Sequence, residues 1–458
     1  MDDKSLMEAR QTPAVRIAAG ALDDGPVART HSAAVRSGDW IFVGGDRSVS
    51  EPASPKSDYV LVDRQAEESK LALRHMKEAL SRVGGSLERD VVRIYQWFAN
   101  SEQPPSHTRY GQDDRWLSIT PYLNTRNEFI SEPRPASSAI SVLGVTRPSR
   151  QVGVDAIAVV AEEGVKHGIG VAPGAPRPLA GYSPVITVDD WVFLAGTMPV
   201  DWLGDYGAGT HLGTASGLAP DARVNPYYWY GSPIETQTRH ILEVLKARAE
   251  SAGSSLGRAV RATVYLKDRR DFVGLDRVWR EYFPTNPPAR VVIPSCGFGG
   301  AGVLVEISLK LLTGTSHLEI ETIEAREDIP VLGHEPHAVR VGHLVFLSTQ
   351  TALGAEGGIP EELQPYTDAD LATATWAQTD LIMSRVASIL SAADTSLENV
   401  CRRQAFVSSL VCRVPYLSAW SAATAALPPP TSTTIQLSDP SFVPSSNILL
   451  DLIAHVDR

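Results

Sequence analysis

Cysteine is scarce in this chain: Cys296, Cys401 and Cys412 are the only three among 458 residues. They form no CxxC pair and no Cys/His cluster at zinc spacing, which argues against a disulfide scaffold and a structural zinc site. An odd, low count fits a reducing compartment, so a cytoplasmic location is expected. No run approaches eighteen uninterrupted apolar residues, so no membrane span is expected. The N-terminus, Met1-Asp2-Asp3-Lys4-Ser5, is acidic and has no apolar stretch, so no secretory signal is read there. Positive charge is in deficit, with 42 Lys and Arg against 53 Asp and Glu, a net charge of −11. Binding a nucleic-acid backbone needs clustered Lys and Arg, so nucleic acid is not an expected partner. Gly297 to Gly302 is glycine-rich, but no helix-opening phosphate motif follows it. Nucleotide binding is therefore rejected, and no cofactor and no metal are expected.

What the chain does have is repetition. Trp40-Ile41-Phe42-Val43-Gly44-Gly45 recurs as Trp191-Val192-Phe193-Leu194-Ala195-Gly196 and again as Leu344-Val345-Phe346-Leu347-Ser348-Thr349. The steps are about 150 residues, the size of an ordinary domain. Each run follows a Gly/Asp turn and reads as a short buried strand. A helical segment comes next: Glu67 to Arg82, Ile234 to Ala252, and Trp376 to Ala393. In the second, Ile241, Val244, Leu245 and Ala249 make one face at three- and four-residue spacing. A Ser-Leu or Thr-Ser-Leu corner leads to another strand, and each copy closes in a strand of period two. In the second copy Val305, Ile307, Leu309 and Leu311 point one way and Glu306, Ser308 and Lys310 the other. A sheet with one face on helices and polar groups on the other must meet something else, and copy-to-copy packing in a closed three-fold ring is the expected answer. The expected division is a tail at 1–14 and modules at 15–167, 168–316 and 317–458. Short linkers are expected at Gly168 to Gly174 and at Glu319 to Asp328.

The central copy carries further motifs in order: Gly181-Tyr182-Ser183-Pro184-Val185, Ala252-Gly253-Ser254-Ser255-Leu256, Val264-Tyr265-Leu266, Pro288-Ala289-Arg290 and Val305-Glu306-Ile307. Together they resemble the YjgF/RidA superfamily, also called Rid proteins and once described as endoribonuclease L-PSP. The other copies resemble it in strand and helix pattern only. The resemblance implies an α+β, chorismate-mutase-like fold. Family members are usually homotrimers with active sites between subunits, so three copies imply an intramolecular pseudo-trimer, monomeric or paired into a dimer.

Rid enzymes hydrolyse enamines and imines derived from amino acids to a 2-oxo acid and ammonia. The resemblance implies the same reaction here, on a small carboxylate-bearing substrate, with 2-aminomuconate as one precedent. It assigns Arg290 to the substrate carboxylate, which a planar guanidinium matches bidentately. It assigns Glu306 to a water attacking the C=N carbon, and Tyr182 to the same pocket. A buried carboxylate beside an arginine is expected to stay ionised. Gly196 and Trp229 complete the expected substrate contacts. Trp229 belongs to Tyr227-Tyr228-Trp229-Tyr230, at the end of an insertion from Asp201 to Ser232 that could form a lid or simply anchor its own loop. A position near Asp276 is implied to face another copy's cleft. The copies diverge where it matters: Ser137 and about Ser432 stand at the Arg290 position, Gly153 and Leu449 at that of Glu306, and His31 and Glu335 at that of Tyr182. Asp155 and Asp451 share one repeat position and are expected to be interface polar groups. The bland alternative is that Arg290 and Glu306 form a salt bridge holding the ring. Two functional alternatives are a cyclising dehydratase or tautomerase using the same pair, and a non-catalytic scaffold that binds small acids. The acidic charge disfavours ribonuclease activity.

Overall fold

The computed structural model describes residues 15–18, 30–46, 61–99, 119–146, 150–161, 166–170, 180–200, 218–225, 227–298, 302–326, 328–424, 429–437 and 441–457. The tail at 1–14 and most of the Asp201 to Ser232 insertion (201–217 and 226) lie outside them.

In the first third the elements are β1 (Val15–Ala18), β2 (Ser32–Ser37), β3 (Trp40–Val43), α1 (Leu61–Arg82), β4 (Val91–Ala99), α2 (Thr120–Phe129), β5 (Ala136–Val142), β6 (Gly144–Val145) and β7 (Val152–Val159). The central third has β8 (His167–Ile169), β9 (Val185–Val188), β10 (Trp191–Leu194), α3 (Pro233–Ser251), β11 (Ala259–Leu266), α4 (Phe272–Tyr282), β12 (Ala289–Pro294) and β13 (Val305–Leu312). The last third has β14 (Ile320–Ile323), β15 (Ala338–Val341), β16 (Leu344–Leu347), α5 (Leu371–Ala392), β17 (Val400–Val407), α6 (Arg413–Ala423), β18 (Thr431–Gln436) and β19 (Ile448–His455). The fold is α+β.

Strand order is the same in each third. It runs β5-β4-β7-β3-β2-β1, then β12-β11-β13-β10-β9-β8, then β18-β17-β19-β16-β15-β14. The one parallel pair in each (β4/β5, β11/β12, β17/β18) is bridged by a helix, since a parallel crossover needs a long connection. The tight turn before β3, β10 and β16 takes a left-handed residue each time: Gly38 at φ +59°, Asp189 at +46° and Gly342 at +57°. Helix α3 opens with Ser232 accepting from the Glu235 N–H and with Pro233 in its first turn, two features that favour a helix start. Helices α1 and α5 begin five or six residues before their expected starts. The two expected linkers contain strands instead, because β8 and β14 pair along β9 and β15. Three or four residues are too few for their alternation to stand out. The expected division at 167/168 falls inside β8.

Both faces of every sheet are covered. Helix-side cores gather Ile94 and Ala156 on α1, Val264 and Ile307 on α3 and α4, and Ala405 and Leu452 on α5. Strand β18 also pairs with β2 and β6, so the first and last thirds form one 13-stranded sheet beside the six-stranded sheet of the central third, and the opposite faces of all three thirds share one further core. There Trp40 lies edge-on to Trp191 at 4.8 Å between centroids, and Phe346 packs 6.0 Å from each. Burial on both faces is why β3, β10 and β16 read as continuous apolar runs. Matching backbone bonds join the thirds: Gly196 N–H to Ser137 O at 2.9 Å, Thr349 N–H to Arg290 O at 3.0 Å, and Asp46 N–H to Ser432 O at 2.8 Å.

Candidate active site

Strand β13 alternates, so Val305, Ile307 and Leu309 join the helix-side core while Glu306, Ser308 and Lys310 face the other way. Glu306 lies opposite Tyr265 in the ladder and is 3% exposed. Its carboxyl group hydrogen-bonds Ser138 on β5 of the first third. Gly196 runs directly beneath it: a Cβ there would overlap the Glu306 carboxylate and the Ser138 hydroxyl, so only glycine fits. Arg93 on β4 holds the same corner, its Nη2 donating to Ser138 Oγ at 2.6 Å and Ser308 Oγ at 3.1 Å. Neither Glu306 Oε1 nor Arg93 Nη1 has a hydrogen-bond partner among the described residues. Burial pushes the Glu306 carboxyl up to about 7, against the opposing pull of the Ser138 bond and the Arg93 charge. The expectation of a fully ionised Glu306 is corrected: near neutral pH both protonation states are populated.

Tyr182 stands half-buried just before β9, within electrostatic reach of Arg248, Glu306 and Arg93. Burial raises its hydroxyl pKa, and Arg248 opposes the rise. Arg248, half-buried on α3, donates to Thr197 Oγ1 at 2.6 Å. Two arginines of the first third fix the backbone leading into Tyr182: Arg126 donates to Ala180 O, and Arg134 to Gly181 O at 3.1 Å. Glu306, Tyr182 and Gly196 therefore converge on one wall between the central and first thirds.

Arg290 is not on that wall. On β12 it alternates with Val291, so with Val292 it faces the helices, on the opposite side of the sheet from Glu306. Its guanidinium is fully buried, lies 5.0 Å from the Trp279 ring centroid, and is paired to Asp276 at 2.6 Å and Glu335 at 2.9 Å. Glu335 and Asp276 take its Nε and Nη2, the edge expected to hold a substrate carboxylate, while Nη1 has no partner among the described residues. Both the shared Arg290/Glu306 cleft and the direct Arg290–Glu306 salt bridge are corrected by this geometry. Asp276 serves Arg290 of its own third, not another cleft, and also accepts from the His334 N–H at 3.0 Å. Trp229 is 92% exposed and touches Tyr230, which stacks on Tyr228. An indole so exposed covers nothing, so the lid reading is replaced by an aromatic cluster on the surface.

Sequence reasoning missed Arg93, Ser138, Thr197 and Arg248. A signal existed for the first, because Arg93, Arg261 and Arg402 fall at one ladder position in the three thirds. Their neighbours form a buried charge network. Asp155 accepts from Trp97 and Gln404, Arg402 pairs with both Asp155 and Asp451, Arg261 also reaches Asp451, and Lys310 donates to Tyr95. Among the described residues no group of three or more His, Cys, Asp or Glu could hold a metal ion. No described helix is long and apolar enough to cross a membrane.

Known proteins resemble parts of this chain. The sequence model of a family described as Endoribonuclease L-PSP matches residues 173–310. A RutC family protein of Pyrococcus abyssi is 35% identical over 119 residues, 26% of this chain and 76% of that protein. The 3-aminoacrylate deaminase RutC of Acinetobacter baylyi is 31% identical over 135 residues, 30% of this chain and 89% of that protein. Among solved structures, RidA from an Antarctic Psychrobacter aligns at 23% identity and TM-score 0.25, covering 32% of this chain and 99% of that one. A chorismatase aligns at 10% identity and TM-score 0.46, covering 80% and 94%. Through its central third, the chain belongs to the YjgF/RidA family.

Proposed function

We propose that the chain is three tandem RidA-like modules closed into an intramolecular pseudo-trimer, and that it deaminates a small carboxylate-bearing enamine or imine. The repeated strand order and the three matching backbone bonds between thirds support the ring. A relative that acts as a 3-aminoacrylate deaminase supports the reaction class. The observation that carries the reading is Glu306: a buried carboxyl near pKa 7 with one oxygen uncommitted, beside Tyr182.

A carboxyl balanced at neutral pH can act twice. In its acid form it gives a proton to the enamine carbon, which makes the iminium. In its carboxylate form it takes a proton from the water that attacks the C=N carbon. Glu306 then returns that proton to the carbinolamine nitrogen and takes the hydroxyl proton as C=O forms and ammonia leaves, giving a 2-oxo acid and restoring its acid form. Arg248, at the half-buried edge beside Tyr182, takes the carboxylate-holding role that Arg290 has given up. Arg93 and Ser138 orient Glu306, and Gly196 lets the chain pass close beneath it.

The test is ammonia release from 2-aminoacrylate generated in situ. Glu306→Gln should lower the rate by about 10²–10⁴-fold, the usual size of a general acid–base contribution. Arg248→Ala should act mainly on KM. Identical background rates in wild type and both variants would reject deamination of this substrate. Substrate consumption without ammonia would favour a tautomerase.

A further inference from the structure

A second polar pocket lies where the first and last thirds meet, at the Asp46 N–H to Ser432 O bond. It contains His31, Asp46, Arg403 and Arg413. Asp46 is spent: its two oxygens accept from Thr146 Oγ1 at 2.7 Å and from Ser432 Oγ, Thr434 N–H and Thr434 Oγ1 at 2.8 Å each. Burial pushes its pKa up, but Arg413, His31 and the Thr146 and Thr434 bonds outweigh burial and hold the carboxyl below its usual range. His31 is pushed down to about 4, by burial first, and is neutral at physiological pH.

The arginines are not spent. Arg403 is fully buried over the Trp420 ring, 4.3 Å from its centroid, and its Nη2 donates to Thr30 O and Ser432 Oγ. Its Nε and Nη1 have no acceptor. Arg413 has its Nε and Nη2 without an acceptor, the Nη2 standing 3.9 Å from Asp46 Oδ2. Its side chain is 17% exposed, so the cluster lies close to the surface on that side, although the two orphaned nitrogens are themselves buried. Buried donors are nearly always satisfied, so four orphans on two guanidinium groups point to a missing acceptor. With two cations, one carboxylate and a neutral histidine, the pocket carries one uncompensated positive charge.

We propose that this pocket binds the carboxylate of a small monoanion between Arg403 and Arg413, without hydrolysing it. The missing acceptor is then a two-oxygen group, which a guanidinium fork matches better than a point anion. Turnover is excluded by the surroundings. Asp46 has no free lone pair to activate water, and a histidine titrating near 4 is a weak base at neutral pH. The site differs in both residues and role from the Glu306 wall.

Isothermal titration of the full chain with pyruvate tests this, in an Arg248→Ala background so that the Glu306 wall does not contribute. Saturable binding is expected. Adding Arg413→Gln should weaken it at least about tenfold, as should adding Arg403→Lys, which keeps the charge but loses the fork. Circular dichroism checks both folds; should the fully buried Arg403→Lys fail to fold, the partly exposed Arg413→Gln decides alone. Absence of saturable binding, or binding unmoved by Arg413→Gln, overturns the proposal. Ammonia release plays no part in this readout, so it stands or falls separately from the deaminase reading.

Discussion

At Glu306 one cause sets both chemistry and cost. Burial disfavours the charged form, which lifts the carboxyl to about 7. For an imine substrate, which enters at the water-attack step, the carboxylate is the working form, so kcat/KM rises as pH rises through about 7, and a profile from pH 5 to 9 should display that limb. The same shift implies a stability change of opposite sense. The folded state holds the proton more tightly than the unfolded chain, so stability is fully present below about 4.5 and falls as pH climbs through about 7. A shift of that size is worth about 3 kcal/mol. Glu306→Gln mimics the protonated form, so urea melts should match wild type near pH 4 and exceed it by about 2–3 kcal/mol at pH 8. A variant less stable than wild type at pH 8 would contradict the buried-carboxyl account. Arg290 behaves in the opposite way. Its removal strands Glu335 in the interior and strips one partner from Asp276, which keeps Arg280, so Arg290→Ala should cost about 3–5 kcal/mol in the same melts. A fully stable Arg290→Ala enzyme with a raised KM would restore the substrate-binding role.

At the scale of elements, alternation decides which residues can meet. Glu306 on β13 and Arg290 on β12 belong to one sheet yet project from its two faces. Helix α2 compensates on the active wall: Arg126, near its C-terminal end, and Arg134 beyond it grip the carbonyls leading into Tyr182. The four-aromatic turn takes no part. Trp229 is 92% exposed and lies against Tyr230, so Trp229→Ser should leave KM for 2-aminoacrylate within about twofold. A tenfold rise in KM would return the lid to the site.

For the whole molecule, the three thirds meet through Trp40, Trp191 and Phe346 and through the network around Asp155, Asp451, Arg402 and Lys310. Each third caps the inner face of the others, a task that in a homotrimer would fall to separate subunits. Under the proposed closed ring, no further copies are needed. Sedimentation equilibrium should therefore return a mass of one chain, 49.4 kDa, or a pair, and a homotrimer would count against the closed ring. Under the same proposal, joined modules are free to diverge independently. Glu306 is retained at one boundary, Arg290 is locked between two carboxylates at a second, and the third carries Arg403 and Arg413 beside Asp46.

Much of this was legible in the residues themselves. The recurrence from Trp40 to Trp191 to Leu344, the amphipathic helices, the period-two strands and the Tyr182, Arg290 and Glu306 motifs are local patterns. Local patterns determine element type, sheet face and family. The α+β architecture and the outward turn of Glu306 away from its helices followed from them. What covers a face is a different matter, because it depends on residues far away in the chain. Ser138 lies on Glu306 across 168 positions of sequence, Glu335 reaches Arg290 across 45, and Asp46 meets Thr434 across 388. Only the tertiary structure could reveal that Arg290 already has its carboxylates, that burial lifts Glu306 toward neutrality, and that two arginines at another boundary keep guanidinium nitrogens without acceptors. Periodicity sets where a side chain points; charge state and partnership come from burial and from what packs across the boundary.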